Sequence, residues 1–461
     1  MADLIYTSNS FSCQETRHVR IESGCQEYLD QNLAISEPDC NIRYQKKEYS
    51  VDDIQDIGFD VARKLPFAKL IFSIDDSLVD STTLDIWVKW LSFGLSLAGY
   101  SYVHSDSHTL TPAVNVIGLD DQCSKYNKAH QSGCSLALAQ TYSRELMNKP
   151  ANQLYPETFV EAVEQLKIPN VTVSSIGGEQ LNKMGFGGMM GVAKGSEHDG
   201  KLLTMDYNPS GATTTIVLIG KGVTFDSGGI SIKGSKLMST MKFDMGGAAS
   251  VVGALYAISQ AEMPIRVVGL CGLVENMPSG RALKPGDVVT MLSGKSVEII
   301  STDAEGRMVL ADVLHYAQDT YNPDYLIDIA TLTGGAGVAL GKGYSALMSN
   351  NEEFVEIVKQ AGLVCGERVW PMPIGGWFNS SLKSDYADLQ HGSEDPHGSP
   401  CVAATFLSHF VRDDQIWVHI DSAAMSHSMS HRKIYDKAAT GYGALLLSEV
   451  CYSLSVKGEG L

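Results

Sequence analysis

From about residue 150 onward the chain repeats one pattern: a short unbroken apolar run ends in Gly, Asp or Thr, and a longer helical pattern follows. The runs cover residues 215–219, 266–274, 297–302, 325–330 and 416–420. Strands without apolar–polar alternation are covered on both faces, so the pattern predicts a central, mostly parallel mixed sheet flanked by helices. In such sheets ligands bind beyond the carboxyl ends of the strands. Chemistry is expected in those turns.

Residues 1–140 have a different texture. Residues 52–63 and 82–98 read as helical, and 67–74 and 113–119 as extended. A further helix over 136–146 runs into Asn148-Lys149-Pro150-Ala151-Asn152, where Pro150 discourages continuation. The fold class is therefore α/β in two domains. A small N-terminal α/β domain spans 1–140 and a larger second domain spans 141–461. A chain of 461 residues is in any case long for one domain.

Charge and cysteine usage exclude several partners. Lys plus Arg number 35 against 53 for Asp plus Glu, a formal charge of −18. Nucleic acid and anionic membranes need cationic surface, so neither is expected as a partner. The nine cysteines are scattered and contain no C-x-x-C pair, which suits a reducing compartment and no disulfide framework. The start lacks a basic and apolar leader, and no apolar run reaches the roughly 18 residues of a membrane helix. The expectation is a soluble, cytoplasmic protein.

Three turns then concentrate charge. The run at 215–219 leads into Gly220-Lys221-Gly222-Val223-Thr224-Phe225-Asp226-Ser227-Gly228-Gly229, with Lys233 just beyond. Next comes Asp244-Met245-Gly246-Gly247-Ala248-Ala249, opening a helix. The run at 297–302 continues into Asp303-Ala304-Glu305-Gly306-Arg307. Taken singly, each Asp reads as a helix N-cap and each Gly as a turn residue. Taken together, four carboxylates, two lysines and an arginine converge. Partly buried carboxylates need compensating positive charge or they take up protons, and hard divalent cations supply it.

These segments resemble the leucyl aminopeptidase family of cytosolic metallo-exopeptidases. Ser301-Thr302-Asp303-Ala304-Glu305-Gly306-Arg307-Met308-Val309-Leu310 is similar to its signature. The two upstream turns, Asn276-Met277-Pro278-Ser279-Gly280 and Ala330-Thr331-Leu332-Thr333-Gly334 are similar to other family blocks. The resemblance runs from about Arg144 to the end. Asp206-Tyr207-Asn208-Pro209 and Ala439-Thr440-Gly441-Tyr442-Gly443 lean toward the bacterial peptidase B branch. One departure is Ser301, where the family commonly has Asn; this bears on local geometry.

The resemblance implies release of N-terminal amino acids from short peptides with a free N-terminus. It implies two divalent metal ions per subunit, Mn or Zn first, with Mg or Co as further candidates. Asp226 and Glu305 would bridge both ions, Asp303 would complete one site, and Lys221 and Asp244 the other. Lys233 would polarise the scissile carbonyl, and Arg307 would hold a bicarbonate ion as general base. Met241, Thr331, Leu332 and Gly334 would bind substrate. The family's hexamer and variable N-terminal domain are implied in the same way. Four carboxylates and two divalent ions cancel, leaving Lys233 and Arg307 in excess, which suits a developing oxyanion. Without metal, raised carboxylate pKa values or weak order are expected.

Other signals do not carry function. His427 and His431 have an i,i+4 spacing but lack the Glu of H-E-x-x-H, and they read as exposed loop histidines. His104, His108 and His130 read as surface residues. Gly294-Lys295-Ser296 lacks the first Gly of a phosphate loop, and Ser227 is not in a G-x-S-x-G elbow. The rival enzyme class is magnesium-dependent phosphoryl chemistry, which calls for a phosphate cradle that is not found. The non-catalytic rival is a structural or DNA-binding relative that lost its site.

Overall fold

In the computed structural model the described residues are 2–8, 16–23, 42–46, 48–64, 69–74, 77–78, 83–102, 117–119, 121–236, 238–393, 395, 397–427, 432–435 and 438–457. The chain forms two compact units, residues 1–141 with 430–436, and residues 142–429 with 437–461. Cys13, Cys25, Cys40, His104, His108 and His431 lie outside the described residues.

The first unit carries a five-stranded sheet. Its strands are β1 (Ala2–Ser8), β2 (Thr16–Ser23), β3 (Ile42–Lys46), β4 (Lys69–Ile74) and β5 (Ile117–Leu119). They lie in the order β3-β2-β4-β1-β5. The helices Val51–Lys64 and Leu84–Leu97 match the two helical readings closely. The third helix is longer than its apolar pattern suggested, Asn127–Asn148, and stops just before Pro150. His130 is not a surface residue: it is buried, and its Nδ1 lies 2.9 Å from the Ser92 hydroxyl. The reason is helix packing, since Gly133 one turn later brings this helix against the backbone of Lys89.

The short segment 430–436 belongs to this unit, although it is far away in sequence. Its Arg432 is buried and forms ion pairs with Asp52 at 2.7 Å and Asp56 at 3.5 Å. The same guanidinium donates to Gln55 at 2.6 Å. Lys433 and Lys64 both pair with Asp60, at 3.1 and 3.0 Å. All these acidic partners project from the helix Val51–Lys64.

The second unit is organised around an eight-stranded mixed sheet. Its remaining strands along the chain begin with β6 (Val171–Gly177), β7 (Lys201–Tyr207), β8 (Thr215–Asp226) and β9 (Arg266–Asn276). Then come β10 (Val288–Thr290), β11 (Ser296–Glu298), β12 (Tyr325–Ala330) and β13 (Ser345–Ser349). β14 (Val369–Pro371), β15 (Leu389–Gln390) and β16 (Trp417–Asp421) complete the set. The sheet order is β14-β13-β16-β12-β8-β9-β7-β6. Its centre, β16-β12-β8-β9, is parallel throughout, so four carboxyl ends meet along one edge.

Both faces of this centre are covered, as unbroken apolar strands require. Val217, Ile219 and Val223 of β8 share a core with Val309, Leu310 and Val313 of the helix Glu305–Tyr321. The helix Gly246–Gln260 meets β8 and β12 through glycine: a Cβ on Gly247 would lie 2.1 Å from the Ile329 carbonyl oxygen. That contact lets a helix start directly over the strand ends.

One sequence reading is corrected. Residues 297–302 were expected to form a strand of the main sheet, but only Ser296–Glu298 is strand, and it lies elsewhere. β11 pairs antiparallel with β10 and parallel with β15 in a separate three-stranded sheet. The physical reason is local. The N–H of Ile300 and the carbonyl of Ser301 bond to the ring of His391 instead of a strand ladder.

Candidate functional site

Asp226 closes β8, and Lys221 lies five residues earlier on the same strand. In a regular strand that spacing points the two side chains to opposite faces. A register shift between Val223 and Asp226 removes the conflict, as bulges do when they re-aim a side chain. Asp244 follows the 3-10 turn Met238–Phe243, immediately before the helix Gly246–Gln260. Glu305 is the first residue of the helix Glu305–Tyr321, where the helix dipole favours a negative charge.

Three elements thus deliver carboxylates to one point. Oxygens of Asp226, Asp244 and Glu305 lie within 4.8 Å of one another, and all three residues are buried. The Lys221 ammonium sits among them, 2.7 Å from Asp244 and 2.8 Å from Glu305. It also donates to the Thr331 carbonyl at 3.0 Å. Gly306 is required for this arrangement, because a Cβ there would fall 2.7 Å from Lys221 Nζ. Lys233 Nζ lies 2.7 Å from Asp226 and also pairs with Asp303.

The electrostatics are those of an anionic pocket short of cations. Burial opposes charge on Lys221, but Asp244, Glu305 and Asp226 outweigh it and raise its pKa. Lys233 is raised for the same reason, by Asp226 and Glu305 against burial. Burial and the neighbouring Glu305 push Asp226 up to about 6. Asp244 is raised well above the usual carboxylate range by burial, and Asp303 is raised too. Glu305 alone is lowered: burial opposes its charge, but Lys221 and Lys233 prevail.

A divalent cation fits this donor set. The donors are hard oxygens, four carboxylates face two lysines, and Glu305 Oε2 is buried with no hydrogen-bond partner. Lys221 can join as a ligand only as the neutral amine, so metal binding there must release a proton.

The site extends to residues without a role in the sequence reading. Asn276, at the end of β9, donates to Asp226 Oδ1 at 2.8 Å and to the Thr302 carbonyl at 2.9 Å. It lies in one of the blocks that carry the resemblance, which is the signal that could have found it. Thr302 donates to the Gly228 carbonyl at 2.6 Å and accepts from the Ser231 N–H at 2.8 Å. These bonds clasp the loop after β8 to the turn before Glu305. Ser301 also serves the turn: its hydroxyl accepts from the Asp303 N–H at 3.3 Å.

Thr331 touches the carboxylate cluster itself, donating to Asp244 at 2.7 Å. Leu332 and Gly334 flank Thr333, which caps the helix Gly334–Leu340. Asp421 at the end of β16 accepts from the N–H groups of Leu332 and Thr333, both at 3.1 Å, and from the Thr333 hydroxyl at 2.6 Å. Asp421 is buried, and nothing in its sequence neighbourhood marks it. Met241 lies half-buried in the 3-10 turn, three residues before Asp244.

Arg307 is buried; its Nη1 donates to the His391 carbonyl at 2.7 Å, while its Nε has no hydrogen-bond partner. Burial lowers its pKa to about 10. A cavity of about 90 Å³ adjoins it, bordered also by Ser301, Ala304, Ser393 and Ser399. Of two side signals, one departs from expectation and one agrees with it. His427 is part-buried rather than exposed, because its ring stacks on Phe243 at 4.9 Å. Ser227 is buried and donates to the Asn276 carbonyl at 2.8 Å, a structural role. Among the described residues no helix is long and apolar enough to cross a membrane.

Comparison with known proteins shows the family. Residues 141–448 match the model of the cytosol aminopeptidase family, catalytic domain. A probable cytosol aminopeptidase of Rickettsia canadensis (strain McKiel) is 42% identical over 316 residues, 68% of this chain. That match spans 63% of the relative's length, less than two thirds. The cytosol aminopeptidase of Rickettsia prowazekii (strain Madrid E) is 38% identical over 382 residues, 80% of this chain and 76% of the relative. Among solved structures, the bottromycin maturation enzyme BotP in complex with Mn superposes with a TM-score of 0.83 at 30% identity. It covers 95% of this chain and 99% of its own. The chain belongs to the cytosol aminopeptidase family.

Proposed function

We propose that the protein is a metal-dependent exopeptidase that releases N-terminal amino acids from short peptides. The observation that carries this reading is the buried trio Asp226, Asp244 and Glu305 around Lys221 at the carboxyl edge of a parallel sheet. Family membership supports it, and the BotP structure is described as a complex with Mn.

Two divalent ions, Mn or Zn first and Mg or Co next, would, when bound, supply Lewis acidity and a water of lowered pKa. Asp226, Asp244, Asp303, Glu305 and the deprotonated Lys221 are assigned to hold them. Lys233, which faces two of these carboxylates, is assigned to stay charged and stabilise the oxygen where negative charge develops. Arg307 is assigned to hold a bicarbonate, which would supply a general base; its Nε without a hydrogen-bond partner and the adjoining cavity suit a small anion. Thr331, Leu332 and Gly334 orient the peptide backbone, and Met241 lines the pocket for the first side chain. Anchoring of the free α-amino group restricts cleavage to the N-terminus.

Residues 141–461 are the proposed catalytic domain and 1–140 the variable domain. A cytoplasmic homohexamer near the peptidase B branch completes the reading, with no nucleic acid and no membrane as partner. The test is metal reconstitution followed by release of free amino acids from matched unblocked and N-acetylated peptides. Release from the unblocked set alone is expected. Cleavage of the acetylated set contradicts amine anchoring, and phosphoester hydrolysis by the same sample would move the protein to the rival class.

A further inference from the structure

His391 follows β15, in a loop that the sequence marks only as polar. It is buried, with 1% of its surface exposed. Its ring Nδ1 accepts from the Ile300 N–H at 3.1 Å. A nitrogen that accepts carries no proton, so the other nitrogen must be the N–H of a neutral ring. That nitrogen, Nε2, lies 2.8 Å from the Ser301 carbonyl and donates to it. The backbone repeats the pattern. The His391 N–H donates to the Glu298 carbonyl at 3.1 Å, and its own carbonyl accepts from Arg307 Nη1 at 2.7 Å.

All four hydrogen bonds go to one stretch, residues 298–307, which carries Asp303, Glu305 and Arg307. The ring also borders two cavities, the one beside Arg307 and a smaller one of about 10 Å³ lined by Glu305 and Thr302. It therefore takes up the backbone groups that a strand ladder would otherwise satisfy, where β11 stops and the turn begins.

We propose that His391 is a positioning residue: its neutral ring and its backbone together fix the 298–307 turn, and with it the placement of Arg307 relative to the carboxylate cluster. This rests on the aminopeptidase reading for its catalytic consequence, while the positioning itself is independent of it. Phe at this position keeps a planar aromatic ring, somewhat larger than imidazole, and removes both ring bonds. Gln can still accept at one atom and donate at the other.

The test compares wild type, His391→Phe and His391→Gln after metal reconstitution. Bound metal per chain, kcat, KM and amide hydrogen exchange over residues 298–307 are measured in each. Expected for His391→Phe are unchanged metal content, KM near wild type, a kcat lower by about 10- to 100-fold, and faster exchange, the scale of misplacing a reacting group by an ångström. His391→Gln should recover most of both. Wild-type kcat and exchange in a folded His391→Phe overturn the proposal, as does an equal loss in His391→Gln. If wild type releases no amino acid from any peptide, the aminopeptidase reading falls, and the exchange data still decide the positioning role. Should His391→Phe not fold, imidazole ¹⁵N shifts of wild type decide: a neutral Nε2–H ring is expected, and an imidazolium or an Nδ1–H ring overturns it.

Discussion

Two charge clusters, one in each unit, look alike in composition and differ in balance. In the first unit Asp52, Asp56 and Asp60 meet Arg432, Lys433 and Lys64, three carboxylates with three cations. In the second, Asp226, Asp244, Asp303 and Glu305 meet Lys221 and Lys233, four carboxylates with two cations. The first cluster matches carboxylates with cations one for one and ties Arg432 and Lys433 to a helix. The second has two more carboxylates than cations; three of the four are buried, Asp303 is exposed, and Glu305 Oε2 has no hydrogen-bond partner. Burying uncompensated charge is costly, so such carboxylates either take up protons or are neutralised by a further cation. Balance, more than the number of charges, separates the structural cluster from the site.

The comparison can be broken at its strongest point first. Replacing Lys233 by Ala should cut kcat by roughly 10²–10³-fold, the scale of one lost oxyanion donor, while bound metal per chain stays the same. Near-normal turnover would make Lys233 a mere counter-ion, like Lys433. The opposite variant, Arg432→Ala, strands two carboxylates against a buried gap. It should lower stability by about 3 kcal/mol in denaturant titration, with kcat unchanged. A loss of activity in a fully folded Arg432→Ala protein would erase the distinction between the clusters.

The smallest effect concerns pH. In the metal-free protein Asp226 is pushed up to about 6, above the unfolded value of 3.8. The folded chain therefore holds that proton more tightly than the unfolded one. The contribution is fully present below the unfolded value and is lost as pH rises through about 6. Asp244 and Asp303 shift the same way, and Glu305 shifts oppositely. Melting of the metal-free protein should thus drop between about pH 4 and 7, and bound metal should remove the drop. A flat metal-free curve with ordered loops would show that the excess charge is compensated some other way.

Much of the site was legible because its residues lie within short turns. Lys221 and Asp226 share ten residues with a glycine-rich loop, and Asp303, Glu305 and Arg307 share five, so composition and spacing alone made them conspicuous. Family resemblance then added roles that spacing cannot supply. Asn276 was half legible, lying inside a recognisable block with no stated task. Asp421 and His391 were not legible at all. Asp421 is a single acid at the end of an apolar strand, and its purpose appears only when β16 pairs with β12 and brings it under Leu332 and Thr333.

The fold divides in the same way. Apolar runs without alternation are enough to predict a covered, largely parallel sheet, because burial on both faces leaves that signature in a strand's own residues. The run at 297–302 carried the same signature and went elsewhere, because a three-residue pairing with β10, a two-residue pairing with β15 and the ring of His391 took its backbone groups. Likewise no local pattern tells that Arg432 balances acids some 380 positions earlier. Residue types, turns and their charges are local, so the sequence determined them directly. Which charges are balanced and which are left in excess depends on distances across the fold, and only the tertiary structure decided that.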